Sequence, residues 1–305
     1  MATNSLAGYS IGQIADMSLE ALLPAMKRLS WYTTDFSADI ASDGSTVATR
    51  YPTALTSGAL TTGLDTNAQN ATTTAVTVTL GAVTGASIEF TEFEYSVASI
   101  DIMRVFVAPM VNAVVKGFQT TAMNLITAAN FANAGFTGTA ANFDSDDCAD
   151  LAQILDSNNV TEDNRALFLS PSYFNSVRKV NALLANTLGS DEAIRRGTVG
   201  QLFGLNVVNC NYIPSNSQNL VGFACAPEAI AMAARVPAAP TNGYGEYQNV
   251  TDPDSGFTFQ IRRFYDENKM KHRLAGLYMA GASKALAGTG GAAAPTGALV
   301  RIVSA

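Results

Sequence analysis

Length, composition and charge exclude several classes of protein. The chain has 305 residues, of which 48% are apolar and only 14% are charged, and its net charge is −7 without any run of Lys or Arg. Such a chain can bury a sizeable core, but it cannot neutralise the phosphates of a nucleic acid. Low charge is typical of surfaces that meet other subunits, although a drift in composition explains it equally well. No segment has the pattern of a signal peptide or the ~18 apolar residues of a transmembrane helix.

Residues 1–45 are predicted to form an N-terminal arm with one short helix. Five apolar residues in this segment have helical spacing: Leu19, Leu22, Leu23, Met26 and Leu29. Ser18 could cap the helix, and Pro24 should limit its length. Three aromatic residues follow it, namely Trp31, Tyr32 and Phe36. Such a cluster should dock either on the chain's own domain or on a neighbouring molecule.

Residues 46–95 are rich in Thr, Ala, Gly and Asn and are predicted to form an extended β-hairpin. Apolar and polar residues alternate in Ala75–Leu80 and again in Ser87–Thr91, with the period of a half-exposed strand. Gly81 and Gly85 flank the connection, so these two strands could pair as a hairpin or a bent ribbon. The region holds few large apolar residues and should need a partner surface. The alternative is a mobile β-arm of a monomer.

Residues 96–143 begin with the strongest helical period of the chain. Apolar residues recur every three or four positions from about Val97 to Phe131, which predicts a helix of about 30 residues and roughly 45 Å. Pro109 lies inside this segment and should kink the helix or mark a late start. A linker of Gly, Asn and Ala is predicted over 132–144.

Strand and helix alternate over 144–235, which predicts an α/β or α+β subdomain. Its first helix should begin at Ser145, with acidic residues at the positive end of the helix dipole. Ala166–Leu169 is predicted to be a short apolar strand. Ser170 and Pro171 then have the residue types of an N-cap and a first helical position.

The same subdomain is predicted to continue with one strand and one helix. Thr198–Val208 is a strand punctuated by glycine, and Ala226–Arg235 is a helix of small residues. The G-x-x-G spacings of Gly197–Gly204 could suggest phosphate binding, but no Gly-Lys-Ser/Thr follows and the order of elements is wrong for a dinucleotide fingerprint. Turns and close backbone approach explain these glycines better.

The end of the chain is predicted to be mostly strand. Residues 236–256 are rich in turn formers, and two strands follow over Phe257–Phe264 and Lys271–Ala280. A flexible stretch rich in Gly and Ala, 286–298, precedes Leu299–Val303. The last segment has the pattern of a final strand, which could return to the same sheet.

No catalytic, cofactor-binding or metal-binding residue is predicted. His272 is the only histidine, and without a Gly-x-Ser-x-Gly elbow it fits a solvated strand face better than a catalytic triad. The carboxylates in Asp144–Asp147 and in Asp252–Gly256 could hold a hard cation such as calcium. Neither segment follows the calcium-loop pattern, so helix capping and turn formation explain them better.

The three cysteines, Cys148, Cys210 and Cys225, are also assigned to structure. They are far apart, odd in number and without a C-x-x-C pattern, which argues against a zinc site or a disulfide framework and for a reducing compartment. All three stand on apolar faces or in apolar strands, so they are predicted to fill the core.

The order of these elements resembles that of a known family. A strand-rich loop and a long helix are followed by Arg165–Tyr173, Thr198–Val208 and Ala226–Arg235, and then by the Phe257–Ala280 strands. In this order and spacing, the chain resembles the major capsid proteins of tailed bacteriophages, whose fold is named after the Hong Kong 97 phage. The resemblance covers most of the chain.

The resemblance implies an α+β fold with four named parts. These are an N-terminal arm (1–45), an extended β-hairpin or E-loop (46–95), a P-domain with a long spine helix (96–143, and 236–305 with the C-terminal strand) and an A-domain (144–235). It also implies that the E-loop lies over the adjacent subunit and that the A-domain sits at the capsomer centre.

The resemblance also implies a function. The chain would be a major capsid (coat) protein, a structural protein of the virion that self-assembles as pentamers and hexamers into the icosahedral shell around a phage double-stranded DNA genome. It would enclose DNA without sequence-specific binding and would need no membrane, cofactor, metal or catalysis. Assembly in the cytoplasm of the bacterial host is implied, with a portal and decoration proteins as partners. Because the sequence has no long charged helical segment that could act as a fused scaffolding domain, a separate scaffolding protein, or none, is implied.

Two other functions stay open at this point. An encapsulin-type bacterial nanocompartment is the alternative within the same fold. A hydrolase or binding module with a β-arm is the alternative from another class. A clustered catalytic constellation would favour the enzyme, and the sequence contains none.

Overall fold

The computed structural model describes residues 11–26, 28–35, 46–52, 73–97, 102–158, 160–188, 200–239, 245–252, 256–285 and 298–305. These residues form two six-stranded sheets, one two-stranded sheet and five α-helices. The helices are α1 (Ile11–Met26), α2 (Glu92–Val97), α3 (Ile102–Met123), α4 (Ser145–Ser157) and α5 (Pro171–Leu188). Most neighbouring strands are antiparallel, and the predicted α+β class is confirmed.

The first sheet is built around one long strand. Its members are β1 (Thr33–Asp35), β4 (Thr84–Thr91), β10 (Ile230–Arg235), β11 (Glu246–Thr251), β12 (Thr258–Asp266) and β13 (Lys271–Lys284). β13 pairs with β12 and β4 on its two edges along its first half, and with β10 along its second half. The two strands predicted near residues 257–280 are thereby confirmed.

Helices α1 and α3 cover one face of this sheet. The predicted helical period is real, because α3 buries the following side chains: Val107, Val111, Val114, Phe118 and Ala122. At Gly117 the helix approaches β13 so closely that a Cβ atom would lie 2.0 Å from the hydroxyl of Tyr278. Only glycine permits this packing distance.

The long helix is shorter than predicted. It continues through Pro109 but ends at Met123, which gives 22 residues and about 33 Å. The amide of Asn216 donates hydrogen bonds to the carbonyl oxygens of Met123 (2.9 Å) and Ile126 (2.8 Å). These bonds satisfy acceptors that a continuing helix would otherwise use.

The second sheet separates two cores. Its strands are β5 (Ala134–Thr137), β6 (Ala166–Leu169), β7 (Gln201–Leu202), β8 (Leu205–Asn209), β9 (Leu220–Cys225) and β14 (Leu299–Val303). Along β6, Ala166 and Phe168 face the larger core, while Leu167 and Leu169 face a smaller core beneath α4 and α5. The predicted strand and the helix that begins at Pro171 are confirmed, as is the buried apolar face of α4.

The β-hairpin exists, but its pairing differs from the prediction. Its strands are β2 (Thr46–Pro52) and β3 (Thr73–Thr79). The strand that contains Ser87–Thr91 pairs with β13 instead, so the predicted pairing across Gly81 and Gly85 was wrong. The chain at the end of β3 lies directly against β13, where a Cβ atom on Gly281 would be 2.1 Å from the carbonyl oxygen of Thr79. The strand that follows therefore continues along β13 and does not fold back on β3.

The base of this hairpin is buried within its own subunit. Val47, Val76 and Val78 are 3%, 6% and 0% exposed and belong to the larger core. The expectation that the region cannot bury its apolar residues alone was therefore wrong for these positions. Residues 53–72, between the two strands, lie outside the described residues.

The segment Ala226–Arg235 was wrongly predicted as a helix. A single 3-10 turn at Pro227–Ala229 leads into β10, which lies between β1 and β13. Alanine has a high intrinsic helix propensity, but the first five residues of β10 are buried. Strand pairing and burial outweigh a propensity difference of a few tenths of a kcal/mol per residue.

Two further strands also differ from expectation. The predicted linker 132–144 contains β5, and Leu299–Val303 is a strand of the second sheet rather than the first. β14 inserts between β5 and β9 because four of its five residues are buried there. The predicted boundaries of the four named parts stay a prediction. β10 and β14 each lie in a different sheet from most of the part that was assigned to them.

The N-terminal segment belongs to the subunit core. α1 begins at Ile11 and continues through Pro24, so Ser18 lies inside the helix and its hydroxyl donates to the carbonyl of Ile14 (2.7 Å). The predicted cap was wrong because apolar Ile14 and Ala15 extend the buried face towards the N-terminus.

The aromatic residues after α1 dock on their own chain. Tyr32 is fully buried, and its ring lies edge-on to Phe168 (5.2 Å) and Phe223 (5.7 Å). Trp31 lies 6.4 Å from Phe168. Trp31 and Tyr32 therefore dock on the chain's own domain, which is one of the two predicted docking surfaces. Phe36 lies outside the described residues.

Candidate assembly surfaces

The side chains considered for chemistry serve structural roles where the structure describes them. His272 is half-buried on β13 and packs against the ring of Tyr265 at 5.0 Å. Asp144 is the N-cap of α4, and it forms a reciprocal capping box with Asp147. Burial and the neighbouring carboxylates raise the pKa of Asp147. Within the described ranges no group of three or more His, Cys, Asp or Glu could hold a metal ion.

The second acidic segment is only partly described. Asp252 is fully buried, and its carbonyl oxygen accepts a hydrogen bond from the backbone N–H of Gly256 (2.9 Å). This bond closes a turn, as predicted for this segment. Residues 253–255 lie outside the described residues.

The three cysteines are buried and unpaired with one another. Burial is the main cause that raises the pKa of each thiol, to about 12 for Cys148. A thiol in such surroundings is inert as a nucleophile. The positions support the predicted role of filling the core.

The glycine-rich stretch before β8 ends in a tight hairpin turn. Phe203 and Gly204 connect β7 to β8, with φ values of 47° and 77°. Two successive positive φ angles are typical of the two-residue type I′ turn. Turn formation therefore explains Gly204, while residues 197–199 lie outside the described residues.

Exposed apolar side chains mark the surfaces that could meet other molecules. Eight large ones are exposed among the described residues: Val83, Phe93, Val97, Val105, Phe106, Phe203, Tyr247 and Met270. Five of them lie near α2, the start of α3 and the β12–β13 turn, at one end of the first sheet. Val83 and Tyr247 lie further along the sheet, where both line one groove.

The most exposed of these side chains form a knob on α2, defined here as Phe93 and Val97. They are 75% and 65% exposed and share a face because they stand four residues apart on a helix. Thr91 and Glu94 form a capping box at the start of α2, since the Glu94 carboxylate accepts from the N–H and the hydroxyl of Thr91, both at 2.9 Å. The hydrogen bond from the Thr91 N–H is the main cause that lowers the pKa of Glu94.

The middle of the first sheet carries a groove of about 550 Å³. Its lining includes Val83, Arg235, Pro237, Tyr247, Gln260 and Met279. Side chains alternate along a strand, so Met279 faces away from α3, the helix that Tyr278 contacts. The groove therefore lies on the face of the sheet opposite the helices, which we call the open face.

The polar groups in the floor of the groove bond to one another. Gln260 donates to the Asn249 side chain (3.0 Å) and accepts from the Arg262 Nε (2.5 Å). Arg262 also donates to the carbonyl oxygen of Ala238 (2.6 Å). An incoming molecule would therefore meet apolar side chains and polar groups that are already hydrogen-bonded within the chain.

Charged pairs cross the open face between the knob and the groove. The Glu89 carboxylate on β4 accepts hydrogen bonds from Lys271 (3.1 Å) and Arg273 on β13. Arg273 also lies 3.9 Å from Asp266, and its guanidinium stands 6.0 Å above the Phe264 ring. The hydrogen bond from Lys271 is the main cause that lowers the pKa of Glu89.

Sequence reasoning missed both the knob and the groove. The Thr91-x-x-Glu94 spacing is the signature of a capping box, and it could have indicated α2. The groove joins residues from β10, β11, β12 and β13, so no local signal predicts it. In the part of the chain that the structure describes, no helix has the length and apolar character needed to cross a membrane.

The fold is similar to that of solved phage capsids. The capsid structure of cyanophage P-SCSP1u superposes with a TM-score of 0.62, over 90% of this chain and 86% of that chain, at 13% sequence identity. The mature capsid of bacteriophage PhiM1 gives a TM-score of 0.61 over 90% and 85% at 11% identity. The capsid of Myoviridae phage XM1 gives 0.54 over 92% of each chain at 12% identity. No protein-family model and no curated protein matches the sequence. The structural comparisons show that the chain has the fold of these phage capsids.

Proposed function

We propose that this protein is the major capsid protein of a tailed bacteriophage. Copies of it self-assemble as pentamers and hexamers into an icosahedral shell around a double-stranded DNA genome. The observation that carries this proposal is the shared fold, which extends over 85% or more of both chains in each of the three comparisons above. Such coverage leaves little of the chain for an added catalytic domain.

The surface of the subunit supports assembly with other copies. Exposed apolar side chains gather near α2 and around the groove of the first sheet, whereas the three thiols are buried and inert. A standard interface buries roughly 800 Å² per partner, and a shell subunit forms several such interfaces. Multivalency then stabilises the particle, because later contacts form at high effective concentration.

Electrostatics supports a container rather than a DNA-binding protein. With a net charge of −7, the subunit does not attract the phosphates of packaged DNA, which small counterions neutralise instead. DNA is enclosed without sequence-specific contacts. Screening of the like charges on the subunits should make assembly insensitive to salt or favoured by it.

The remaining partners and the arrangement within the shell are part of the same proposal. Residues 46–95, which include the β2–β3 hairpin, act as the E-loop over the adjacent subunit, and residues 144–235 lie at the capsomer centre as the A-domain. A separate scaffolding protein, a portal and decoration proteins assemble with the shell. Assembly takes place in the cytoplasm of the bacterial host, and no catalytic step is involved.

Electron microscopy of the purified recombinant protein tests the proposal. Closed shells, or rings of five and six subunits, are the expected result. Analytical ultracentrifugation over a wide range of concentrations would detect a protein that stays monomeric. A single species of 31.9 kDa at every concentration and salt would overturn the assignment.

A further inference from the structure

The knob on α2 is an apolar face that its own subunit orders but does not cover. A six-residue helix is far too short to be stable by itself. The capping box of Thr91 and Glu94 and a hydrogen bond from the Tyr265 hydroxyl to Glu92 hold it in place. These polar contacts leave Phe93 and Val97 pointing to solvent, the reverse of an ordinary amphipathic helix.

The groove on the open face suits an apolar helix face. Its volume of about 550 Å³ lies in the range of about 300–1,000 Å³ that encloses a drug-sized molecule, so a phenyl ring and a valine side chain fit within it. Small-molecule pockets also present a few convergent polar groups. Here the lining side chain of Gln260 already bonds to Asn249 and to Arg262, which stands beside the lining, and this favours side chains of a protein as the occupant.

Knob and groove cannot meet within one subunit. Val83 of the groove precedes β4 and the knob follows it, with about 26 Å of strand between them. Tyr247 of the groove stands on β11, three strands away from β4. A contact between the knob of one copy and the groove of another is therefore heterologous. Repetition of a heterologous contact forms a closed ring when its rotation closes.

The charges around the two surfaces are complementary. Glu92 and Glu94 stand on either side of the knob, about 100° from Phe93 around the helix. Among the described lining residues of the groove, only Arg235 is charged. Pairing of knob with knob would instead bring four carboxylates together, and such like-charge contacts are unfavourable.

We propose that the Phe93–Val97 knob of one subunit docks in the open-face groove of the next subunit, as a head-to-tail contact that repeats around each capsomer ring. The inference rests on the proposed function, since it names one contact of the assembly. Phe93 enters the groove beside Tyr247 and Met279, and the acidic flanks of α2 lie near Arg235.

Site-directed cross-linking tests the contact. A variant with Phe93→Cys and Tyr247→Cys is assembled into particles and treated with a short bis-maleimide. Both positions are exposed, whereas the three native cysteines are buried, so the reagent reports the new pair. A ladder of covalent species up to pentamers and hexamers is expected, because each subunit carries both partners.

Matched controls separate this contact from general proximity. Each single variant can form dimers at most, and Phe203→Cys combined with Tyr247→Cys places an equally accessible thiol on the second sheet, where Phe203 is 54% exposed. That pair should give no ladder. Particles of the Phe93/Tyr247 variant without a ladder, or an equal ladder in the control pair, would overturn the inference while leaving shell formation intact.

Hydrogen exchange of the unmodified protein gives a second test that depends on no variant. Amides of α2 and of residues 235–239 should exchange at least tenfold more slowly in particles than in free subunits. Equal exchange in the two states would contradict the docking. Wild-type protein that forms no particles at all would instead count against the proposed function.

Discussion

The two six-stranded sheets differ in how much of each strand the subunit itself covers. In the second sheet, β6 is buried at all four positions and β9 at five of six, because alternate residues face two separate cores. In the first sheet, β11 is buried at one position of six and β4 at one of eight. The open face of the first sheet carries charged pairs and the groove instead of a second core.

This difference separates folding from assembly within one chain. Substitutions in the second sheet should lower the free energy of unfolding of an isolated subunit. Substitutions on the open face of the first sheet should leave that free energy nearly unchanged and act on contacts between copies. The base of the β2–β3 hairpin belongs to the core of the chain and also leads into the proposed contact with a neighbouring copy. It therefore provides the strongest test.

Val78→Glu should have the largest effect on folding. Val78 is fully buried at the base of the hairpin, so the change places an unpaired carboxylate in the larger core. We expect the free energy of unfolding to fall by about 5 kcal/mol, which is a large part of the ~5–15 kcal/mol of a typical protein. Urea denaturation of the free subunit, followed by circular dichroism, measures this loss.

Thr77→Glu is the matched control on the same strand. Thr77 is exposed, so its free energy of unfolding should stay within about 0.5 kcal/mol of the wild type. Equal stability of the two variants would show that the hairpin base is not part of the subunit core. Val78 would then have to become buried only when copies of the chain assemble.

Phe223→Ala should be next in size, and it probes the second sheet. The Phe223 ring stacks on Phe168 at 4.9 Å and meets Tyr32 edge-on. Truncation leaves a cavity between these rings, and we expect a loss of about 4 kcal/mol. Phe203→Ala in the exposed turn of the same sheet should cost less than about 0.5 kcal/mol. Comparable losses at both positions would contradict the assignment of a self-sufficient core.

Local sequence patterns predicted the elements in which the apolar residues of the pattern are the ones that become buried. Ala166–Leu169 is a continuous apolar run, and α4 has both an acidic start and an apolar stripe, so strand and helix were predicted where they occur. Ala226–Arg235 could not be assigned correctly, because its small residues favour a helix and only the neighbouring strands make it β10. The same reason applies to β3, whose partner β2 lies across more than twenty residues of chain.

The fold was easier to predict from the sequence than the surfaces proposed for assembly. The order of elements predicted a capsid fold, and the comparisons confirm that fold. The groove could not be predicted because Val83, Tyr247 and Met279 come together only through pairing of distant strands. The knob had a local signal in Thr91 and Glu94, but exposure of its apolar face depends on the tertiary position of α2.

Arg301→Met should give an intermediate effect in the second sheet, on β14 between β5 and β9. The buried guanidinium of Arg301 donates to the carbonyl oxygens of Phe131 (2.6 Å) and Ala132 (3.4 Å) and to the Gln218 side chain (3.3 Å). Burial lowers its pKa. Methionine fills similar space but donates no hydrogen bond to the carbonyl oxygens of Phe131 and Ala132, so we expect a loss of about 2 kcal/mol.

A surface arginine of the first sheet is the control for this change. Arg263 pairs with Glu246 at 2.6 Å on the more exposed sheet, and Arg263→Met should cost less than about 1 kcal/mol. Urea denaturation at one pH compares the two variants. If the order of the losses were reversed, the contrast between the covered and the open sheet would fail.

Glu89→Gln should have the smallest effect, and the size of this effect depends on pH. A carboxyl whose pKa is lower in the folded state contributes stability above its unfolded pKa and loses it as the pH falls through the folded pKa. For Glu89, the hydrogen bond from Lys271 and the charge of Arg273 lower the pKa from the ordinary value of 4.5. Wild type should therefore be more stable than the variant at pH 7, and the difference should shrink progressively below pH 4.5. Urea denaturation at pH 7 and at several acidic pH values measures it.

Salt completes this last test. Glu89 lies on the open face and is accessible to solvent, so 1 M salt, with a Debye length of about 3 Å, should remove most of the difference between Glu89→Gln and wild type at pH 7. A difference that persists at high salt or at low pH would indicate a buried, structural carboxylate. The open face would then hold charged groups as firmly as the second sheet holds its apolar core, and its assignment as a surface for contacts between copies would lose its physical basis.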